Sequence, residues 1–425
     1  MAEGMDFPLC VQVRLSLLRL LFHLLQYAHW SQQGYSHKNP HKPNQDRWGV
    51  SRDVAGDVSS ALLAVYDGHG PTGHDCAAFV QTQFPKLLAK LVRQRRVQKY
   101  RAVAPPGTPL YDPLQWPQLT VEEHEDCCRR ALLTCNTALH EDETIDDSIS
   151  GSTAIACHFH GDYLTVSNVG DSRALLGHYV EPDDSFEYED ECKQEIDDEG
   201  HRQQQPTGLV AIPLSRDQTP HRKDERQRVL KYGACIQDQR ESSPASITCT
   251  DSDSNWSEDR SSQLRVATKN NSSCTITRSL GDAEAEWVGV MGEPELLTTR
   301  LNTNDKFLIL ASQSVFSTLS NSHILRLCAM AESPLTACQA IVREAGISQD
   351  DNDRTVMVCF LSCTRAPGPG TTEELVLLRN SHDSSTATTQ QSSSSQGDEE
   401  DSREDGGLLL DDDGGLYASS GSSSW

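Results

Sequence analysis

The stretch VYDGHG, residues 65–70, follows a run of apolar residues that begins at Ala61. A short apolar run ending in an acid is typical of a buried strand that delivers a side chain at its end. The glycine at 68 lets the chain turn sharply and lets a ligand approach its carbonyl oxygen. Mg²⁺ and Mn²⁺ favour carboxylate and carbonyl oxygens as ligands. The stretch therefore predicts a metal-binding turn that contains Asp67 and His69, with a plain strand and turn as the alternative.

Several other segments show the periodicity of helices and strands. The predicted helices are 74–92, 120–140, 221–232, 322–331 and 334–346, and the further predicted strands are 152–159, 163–170, 307–312 and 355–361. Pro85 falls inside the first helix and predicts a kink or a split, and Gly233 is expected to end the third. Many strands with a few long helices in separate runs indicate an α+β fold.

The chain has 425 residues, a formal net charge of −25 and only 36% hydrophobic residues. Residues 181–206, 237–265 and 364–425 lack hydrophobic periodicity, which predicts two polar insertions and a disordered acidic, Ser-rich tail. The negative charge is concentrated in the first insertion and the tail. Nucleic-acid binding requires clustered Lys and Arg, so no nucleic-acid partner is expected.

The 14 cysteines are scattered, and no Cys or Cys/His spacing typical of zinc sites occurs among them. Scattered cysteines in apparent helices and strands indicate buried free thiols in a reducing compartment. This interpretation favours a location in the cytoplasm or nucleus.

The N-terminal stretch 7–30 is largely apolar but is interrupted by Arg14 and Arg19. A membrane-spanning helix needs about 20 apolar residues with few charges, so these two arginines argue against spanning. An amphipathic helix fits better, packed on the domain or lying on a membrane surface. A targeting peptide stays open as an alternative.

Seven further motifs occur in a fixed order around the VYDGHG turn. They are KPNQDRWGV (42–50), SGSTAIA (150–156), NVGDSRALL (168–176), LSRDQTPHRKDERQRV (214–229), TRSLGD (277–282), EPEL (293–296) and FLILAS (307–312). In this order and spacing the sequence resembles the type 2C metal-dependent protein serine/threonine phosphatases over roughly residues 28–363. Residues 1–27 precede the resemblance, and the two polar stretches become insertions within it.

The resemblance implies two antiparallel β-sheets packed as a central sandwich flanked by α-helices, with Mg²⁺ or Mn²⁺ ions in a cleft at one end. Asp67 would bridge two metals, the Gly68 carbonyl would bind the first, and Asp46 would hold a water of the first. His69 would protonate the leaving serine or threonine oxygen, a role suited to imidazole near neutral pH. Asp171 corresponds to the family's ligand for a weaker third metal.

The sequence departs from the family pattern at the second metal. Gln313 and Asn352 stand where the family has carboxylates for that ion, and Ser317 replaces an Asp that serves the third. An amide offers an oxygen but no charge, so the second ion is expected to bind poorly. Asp353, next to Asn352, is a candidate substitute ligand.

Two other family positions also differ. Gln45 occupies a position that is Glu in many relatives, and the phosphate-binding Arg expected near residue 41 is missing. His41 or Lys42 could substitute for it, although Lys binds phosphate as a point charge without the guanidinium fork.

Two hypotheses about function follow. The first is a phosphoserine/phosphothreonine phosphatase, expected to be a monomer acting on phosphoproteins, whose rate is reduced by about 10²–10³ or more. The second is a pseudophosphatase that serves as a signalling interaction or scaffold domain. A weaker third hypothesis is a membrane-surface scaffold that uses the first 30 residues.

Overall fold

The computed structural model describes residues 26–35, 41–105, 107, 116–180, 208–238, 264–267, 273–346 and 352–361. These residues all fall in one compact unit, Met1–Arg365. The predicted tail, the first insertion and most of the second lie outside the described residues.

Strands in the described residues pair in antiparallel ladders. They are β1 (Gln26–Gln32), β2 (Arg47–Arg52), β3 (Ser60–Tyr66), β4 (Gly68–His69), β5 (Gly151–Ser152), β6 (Ala154–His160), β7 (Tyr163–Val169), β8 (Arg173–Tyr179), β9 (Leu209–Pro213), β10 (Cys235–Asp238), β11 (Leu264–Ala267), β12 (Ser273–Cys274), β13 (Leu280–Gly281), β14 (Glu295–Arg300), β15 (Asp305–Ala311) and β16 (Arg354–Phe360).

The helices pack outside the strands. They are α1 (Gly73–Val103), α2 (Val121–His140), α3 (Lys223–Lys231), α4 (Ala283–Glu286), α5 (Gln313–Phe316), α6 (Asn321–Met330) and α7 (Pro334–Ala345). None of these described helices is both long and apolar enough to cross a bilayer.

Two five-stranded sheets form the centre of the molecule. One has the order β1-β16-β15-β8-β9 and the other β14-β7-β6-β3-β2. Leu63 and Val65 of β3 lie between the sheets with Leu308 and Leu310 of β15, while Leu62 and its neighbours on the opposite face pack under α1 and α2. Because both faces of β3 are buried, its sequence is a continuous apolar run rather than an alternating one. The predicted α+β sandwich flanked by helices is confirmed.

The first predicted helix, 74–92, is longer than expected and is not split. α1 runs unbroken through Pro85 to Val103. The residues beyond Val92 look like a charged surface in the sequence, but Arg96 is buried at the position where an apolar residue would continue the stripe. Its guanidinium forms an ion pair with Asp57 at 3.1 Å and donates to the Trp116 carbonyl. Because the buried residue at this position is an arginine, the sequence pattern did not predict the helix beyond Val92.

The prediction of an amphipathic helix over 7–30 is wrong for its last residues. Residues 26–30 belong to β1, which pairs with β16 from Gln26↔Phe360 to Gln32↔Arg354. One face of β1 packs on α7 and the other is partly exposed. The strand therefore contains both apolar and polar residues, and this mixture suggested an amphipathic helix. Residues 7–25 lie outside the described part of the chain.

Two smaller expectations also need correction. The second insertion is narrower than 237–265, because Gln237 pairs with Arg265 in the β10–β11 ladder and Leu264 is buried. The cysteines are not all free thiols, because Cys235 is disulfide-bonded. Nine other described cysteines are free, and all but Cys274 are buried.

Replacing Arg96 with Ala should lower the free energy of unfolding by about 3–5 kcal/mol, because Asp57 would keep a buried charge without its ion partner. Its neighbour Arg95 is the matched control, since its side chain is 48% exposed and its contact with Glu123 is 3.4 Å. Arg95→Ala should cost less than about 1 kcal/mol. Urea unfolding of both variants measures the difference, and equal losses would contradict the assignment of the buried pair.

Candidate metal centre

The sheet register brings two aspartates together at one end of the sandwich. Arg47, at the start of β2, pairs with Tyr66, at the end of β3. Asp46 immediately precedes the first of these residues and Asp67 immediately follows the second, so the two carboxylates lie side by side. Antiparallel pairing explains why residues so far apart in sequence share one edge.

The other sheet contributes from the facing edge. Asp171 comes just before β8, whose Arg173 pairs with Ala311 at the end of β15. The next residues, Ser312 and Gln313, open helix α5, and the Gln313 backbone N–H donates to Asp67 Oδ2 at 3.3 Å. The centre is therefore built where strands of both sheets end.

The turn after Asp67 leaves no space for side chains at its glycines. A Cβ at Gly68 would lie 2.3 Å from the Gly73 carbonyl oxygen and 2.7 Å from the Gln45 carbonyl oxygen. The Asp67 N–H donates to Thr153 Oγ1 at 3.0 Å, and the Thr153 N–H donates back to the Asp67 carbonyl at 2.9 Å. Close backbone approach and these two hydrogen bonds fix the direction of the Asp67 carboxylate.

Each of the three aspartates lies near another carboxylate, with Asp46 buried and Asp67 and Asp171 half-buried. Burial raises the pKa of Asp46 to about 6, and the Asp353 charge adds to this. Burial and the charges of Asp46 and Asp171 raise the pKa of Asp67 well above its usual value. Burial and the Asp217 charge raise the pKa of Asp171 to about 7. Carboxylates held in this way at neutral pH require positive charge nearby.

The residues present fit divalent cations. Neither carboxylate oxygen of Asp46 has a hydrogen bond of normal geometry, although the residue is only 3% exposed. The hydroxyls of Thr355 and Ser312 lie close enough to oppose the rise in the Asp46 pKa, but they do not satisfy its oxygens. A buried carboxylate without donors is suited to a metal-bound water.

The positions expected to bind the second and third metals, Gln313, Asn352 and Ser317, carry no negative charge. Gln313 offers its backbone N–H to Asp67 rather than a negative charge. Asn352 and Ser317 are exposed, and the Ser317 hydroxyl donates to the Ser314 carbonyl.

Asp353 is only 8% exposed, and its carboxylate accepts three hydrogen bonds. The donors are Gly34 N at 2.7 Å, Gln45 N at 2.8 Å and Lys42 Nζ at 3.0 Å. Because its oxygens are engaged in joining two loops, Asp353 is not positioned as the substitute ligand that the sequence suggested. The same contact pairs the Lys42 ammonium with a carboxylate, so Lys42 does not face a phosphate site as an isolated charge.

His69 has a carboxylate partner that the sequence analysis did not identify. Its Nε2 lies 2.6 Å from Oδ2 of Asp282, which is 4% exposed and follows β13. Burial lowers the pKa of His69, but the charge and hydrogen bond of Asp282 outweigh this, so the pKa lies above 6.5. Burial raises the pKa of Asp282, but the charge and hydrogen bond of His69 outweigh burial, so the pKa of Asp282 lies below its usual value. The motif TRSLGD, whose last residue is Asp282, was the sequence feature that could have identified this partner.

Comparison with known proteins agrees with this geometry, since the protein phosphatase 2C family model matches residues 31–352. The chain belongs to the protein phosphatase 2C family. It is 30% identical to probable protein phosphatase 2C 35 of Arabidopsis thaliana over 75% of this chain and 77% of that protein. It is 27% identical to probable protein phosphatase 2C 48 of Oryza sativa subsp. japonica, over 72% and 78% respectively.

Solved structures support the same fold. Serine-threonine phosphatase 2C from Toxoplasma gondii aligns with a TM-score of 0.57 at 14% identity, covering 79% of this chain and 94% of that one. A C. elegans sex determining protein aligns with a TM-score of 0.50 at 17% identity, covering 79% and 65%. As a protein phosphatase 2C domain, the chain belongs to a metal-dependent family whose substrates are phosphoproteins.

Changing Asp282 to Asn should lower the pKa of His69, because burial would remain while the partner charge is lost. The pair stabilises the fold fully below about pH 6.5, the usual histidine value, and this stabilisation declines as the pH rises through the raised value in the folded protein. NMR titration of the His69 ring in the metal-free protein measures the shift. Asp147→Asn is the matched control, because Asp147 pairs at 2.5 Å with His140 instead. An unchanged His69 pKa in Asp282→Asn would contradict the assignment.

Proposed function

We propose that this chain is a divalent-metal-dependent phosphoserine/phosphothreonine phosphatase whose rate is reduced because its second metal subsite has lost its carboxylates. The observation that carries the proposal is the convergence of Asp46, Asp67 and Asp171 beside the His69–Asp282 pair. The residues proposed for the first metal thus keep their negative charge and the proton donor His69. The positions proposed for the second metal have lost their carboxylates.

The reaction divides between the metal and the protein. When bound, divalent cations supply an activated water and neutralise the charge that develops on the phosphoryl group. Asp282 favours protonated His69, so that the imidazole can give its proton to the serine or threonine oxygen as that group leaves. Thr153 holds the Asp67 backbone beside Asp46, and these two carboxylates would hold the metal.

The loss of negative charge at the second metal subsite determines how much the rate is expected to fall. With Gln313 and Asn352 in place of acids, the second cation has Asp67 as its main protein anion. Mg²⁺ gives up its waters reluctantly and binds weakly to few ligands. Removing one preorganised electrostatic contact costs about 10²–10³ in rate, which is the reduction we expect.

The alternative is a catalytically inactive domain that acts as an interaction or scaffold module. The placement of Asp353 favours it, because this acid, the nearest to Asn352 among the described residues, holds Gly34, Lys42 and Gln45 instead. The two proposals make different predictions for the same purified protein.

The full chain assayed on a phosphothreonine peptide with excess Mn²⁺ should show slow turnover. Asp67→Asn should abolish that turnover, because it removes the carboxylate that would hold both cations. Calorimetric titration with Mn²⁺ should give one tight site and one much weaker site. Turnover that persists in Asp67→Asn would mean a contaminating phosphatase, and no turnover in the wild type would support the inactive alternative.

The double change Gln313→Asp with Asn352→Asp should raise the rate by about 10²-fold or more, because it returns two carboxylates to the second subsite. The matched control is Gln313→Asn with Asn352→Gln, which changes side-chain length without adding charge. Manganese affinity of the second site should rise together with the rate in the first variant only. If the repaired protein binds two ions tightly and stays inert, the defect lies outside the second subsite.

A further inference from the structure

A cluster of metal-ligand side chains lies far from the centre described above. His124 and Cys128 of α2 face His158 and His160 of β6, and all four side chains are largely buried between helix and sheet. β6 pairs with β3 so that His160 is opposite Ser60, at the end of β3 remote from Asp67. Seven residue steps at about 3.3 Å place the cluster about 20 Å from the aspartates.

This cluster is unusual for its location. The interface between α1, α2 and the sheet that contains β3 and β6 has an apolar core with Leu62, Phe84 and Leu132, and the buried Arg96–Asp57 ion pair borders the cluster. Burying polar side chains in such an interface costs free energy unless their groups are satisfied. The rings meet this requirement through one another and through Ser60, and a bound cation would replace the contact between the two rings.

Three ligand atoms already face one another. His124 Nε2 lies 2.7 Å from His158 Nδ1, and Cys128 Sγ lies within 4.8 Å of one ring nitrogen of each histidine. His124 and Cys128 are four residues apart and so share one face of α2. A tetrahedral zinc ion with bonds of about 2.0 Å to nitrogen and 2.3 Å to sulfur needs ligand atoms about 3.3–3.6 Å apart. Small rotations of the two rings would reach that spacing.

The surroundings orient these ligands. Ser60 Oγ lies 2.7 Å from His158 Nε2, which leaves Nδ1 of the same ring as the ligand atom. The Ser167 hydroxyl interacts with the Cys128 sulfur and lowers its pKa in opposition to burial. The His160 ring stacks on His124 with centroids 3.7 Å apart. Ligating histidines in metal sites are held in this way by a polar group on their second nitrogen.

The cluster also borders a small polar cavity. Its volume is about 20 Å³, and Asp57, Ser60 and Arg96 line it together with three histidines of the cluster. A cavity of this size holds about one water molecule. It therefore leaves space for one non-protein ligand beside the three side chains.

The protonation states suit a soft cation. Burial lowers the pKa of His158 to about 3 and that of His124 well below 6.5, so both rings are neutral at physiological pH. Burial raises the pKa of Cys128 to about 12, so its thiol loses a proton only when a cation is bound. On binding, the thiol proton would leave to water, and the proton between the two rings would move to the second nitrogen of the ring that carries it, so that both imidazoles stay neutral. Neutral imidazole and thiolate are the ligands that Zn²⁺ prefers.

We propose that His124, Cys128 and His158 bind a zinc-type divalent cation, with a water-sized fourth ligand in the adjoining cavity. The ion would join α2 to β6 at the end of the sandwich opposite the catalytic carboxylates. This site does not depend on whether the chain is an active phosphatase.

Cobalt(II) added to the chelator-treated full chain, in buffer with excess Mg²⁺ for the aspartate centre, tests the proposal. We expect one equivalent of tetrahedral cobalt with a thiolate charge-transfer band. X-ray absorption of the zinc form should show one sulfur at about 2.3 Å and imidazole nitrogens at about 2.0 Å. Coordination by oxygen alone in the wild-type protein would overturn the proposal without any variant.

Variants locate the site. Cys128→Ser should remove the charge-transfer band and weaken zinc binding by at least about 100-fold, whereas Cys127→Ser, next to it on α2 and also buried, should keep both. Ser60→Ala should retain the band and weaken zinc binding by about 10-fold, because it only orients His158. Circular dichroism checks that each variant is folded. A band that survives in Cys128→Ser would place the metal elsewhere.

Discussion

The repulsion among three closely placed carboxylates, the buried Asp46 and the half-buried Asp67 and Asp171, is the constraint on which the functional end of this molecule depends. Each has a pKa raised mainly by burial and by the charge of a neighbouring aspartate. The fold tolerates them because two antiparallel sheets with large apolar cores fix their backbone positions. A protein that holds such charges at neutral pH is suited to binding hard divalent cations, whose charge offsets the repulsion.

The second half of the centre differs in where its charge lies, not only in how much it has. The acid that the family places at 352 is absent, and an acid occupies 353 instead. Asp353 instead lies just before β16 and is buried against Gly34, Lys42 and Gln45, where it joins two loops and raises the pKa of Asp46. Its charge therefore has a structural role in the described residues.

The sequence predicted the elements whose pattern is local. β3, the β6–β7 hairpin, α2 and α7 follow from apolar runs, a glycine turn and capping residues that need no knowledge of the partners. It failed where a distant partner decides the structure. β1 is a strand because β16 pairs with it, α1 continues past Val92 because Asp57 neutralises Arg96, and neither partner is close in sequence.

The site shows the same division. Asp46, Asp67 and His69 stand in motifs whose residue types carry the chemistry, and the structure brings them to one end of the sandwich. The roles of Asp282 and Asp353 depend on contacts across more than 200 residues of sequence, which spacing cannot reveal. Their loops carry no periodic pattern that would indicate which carboxylate is buried.

The histidine cluster was invisible for a related reason. Its ligand spacing, four residues on α2 and then thirty to β6, resembles no zinc motif, because the third ligand is supplied by a sheet and not by a loop. The two ends of the sandwich also differ in charge and in the type of ligand atom. One gathers oxygen anions that need a hard cation, and the other gathers neutral imidazoles and a thiol that suit a softer one. Because Cys274 lies beside His69 and Asp282 at the first end, a thiolate charge-transfer band is assigned to the second end by its loss in Cys128→Ser.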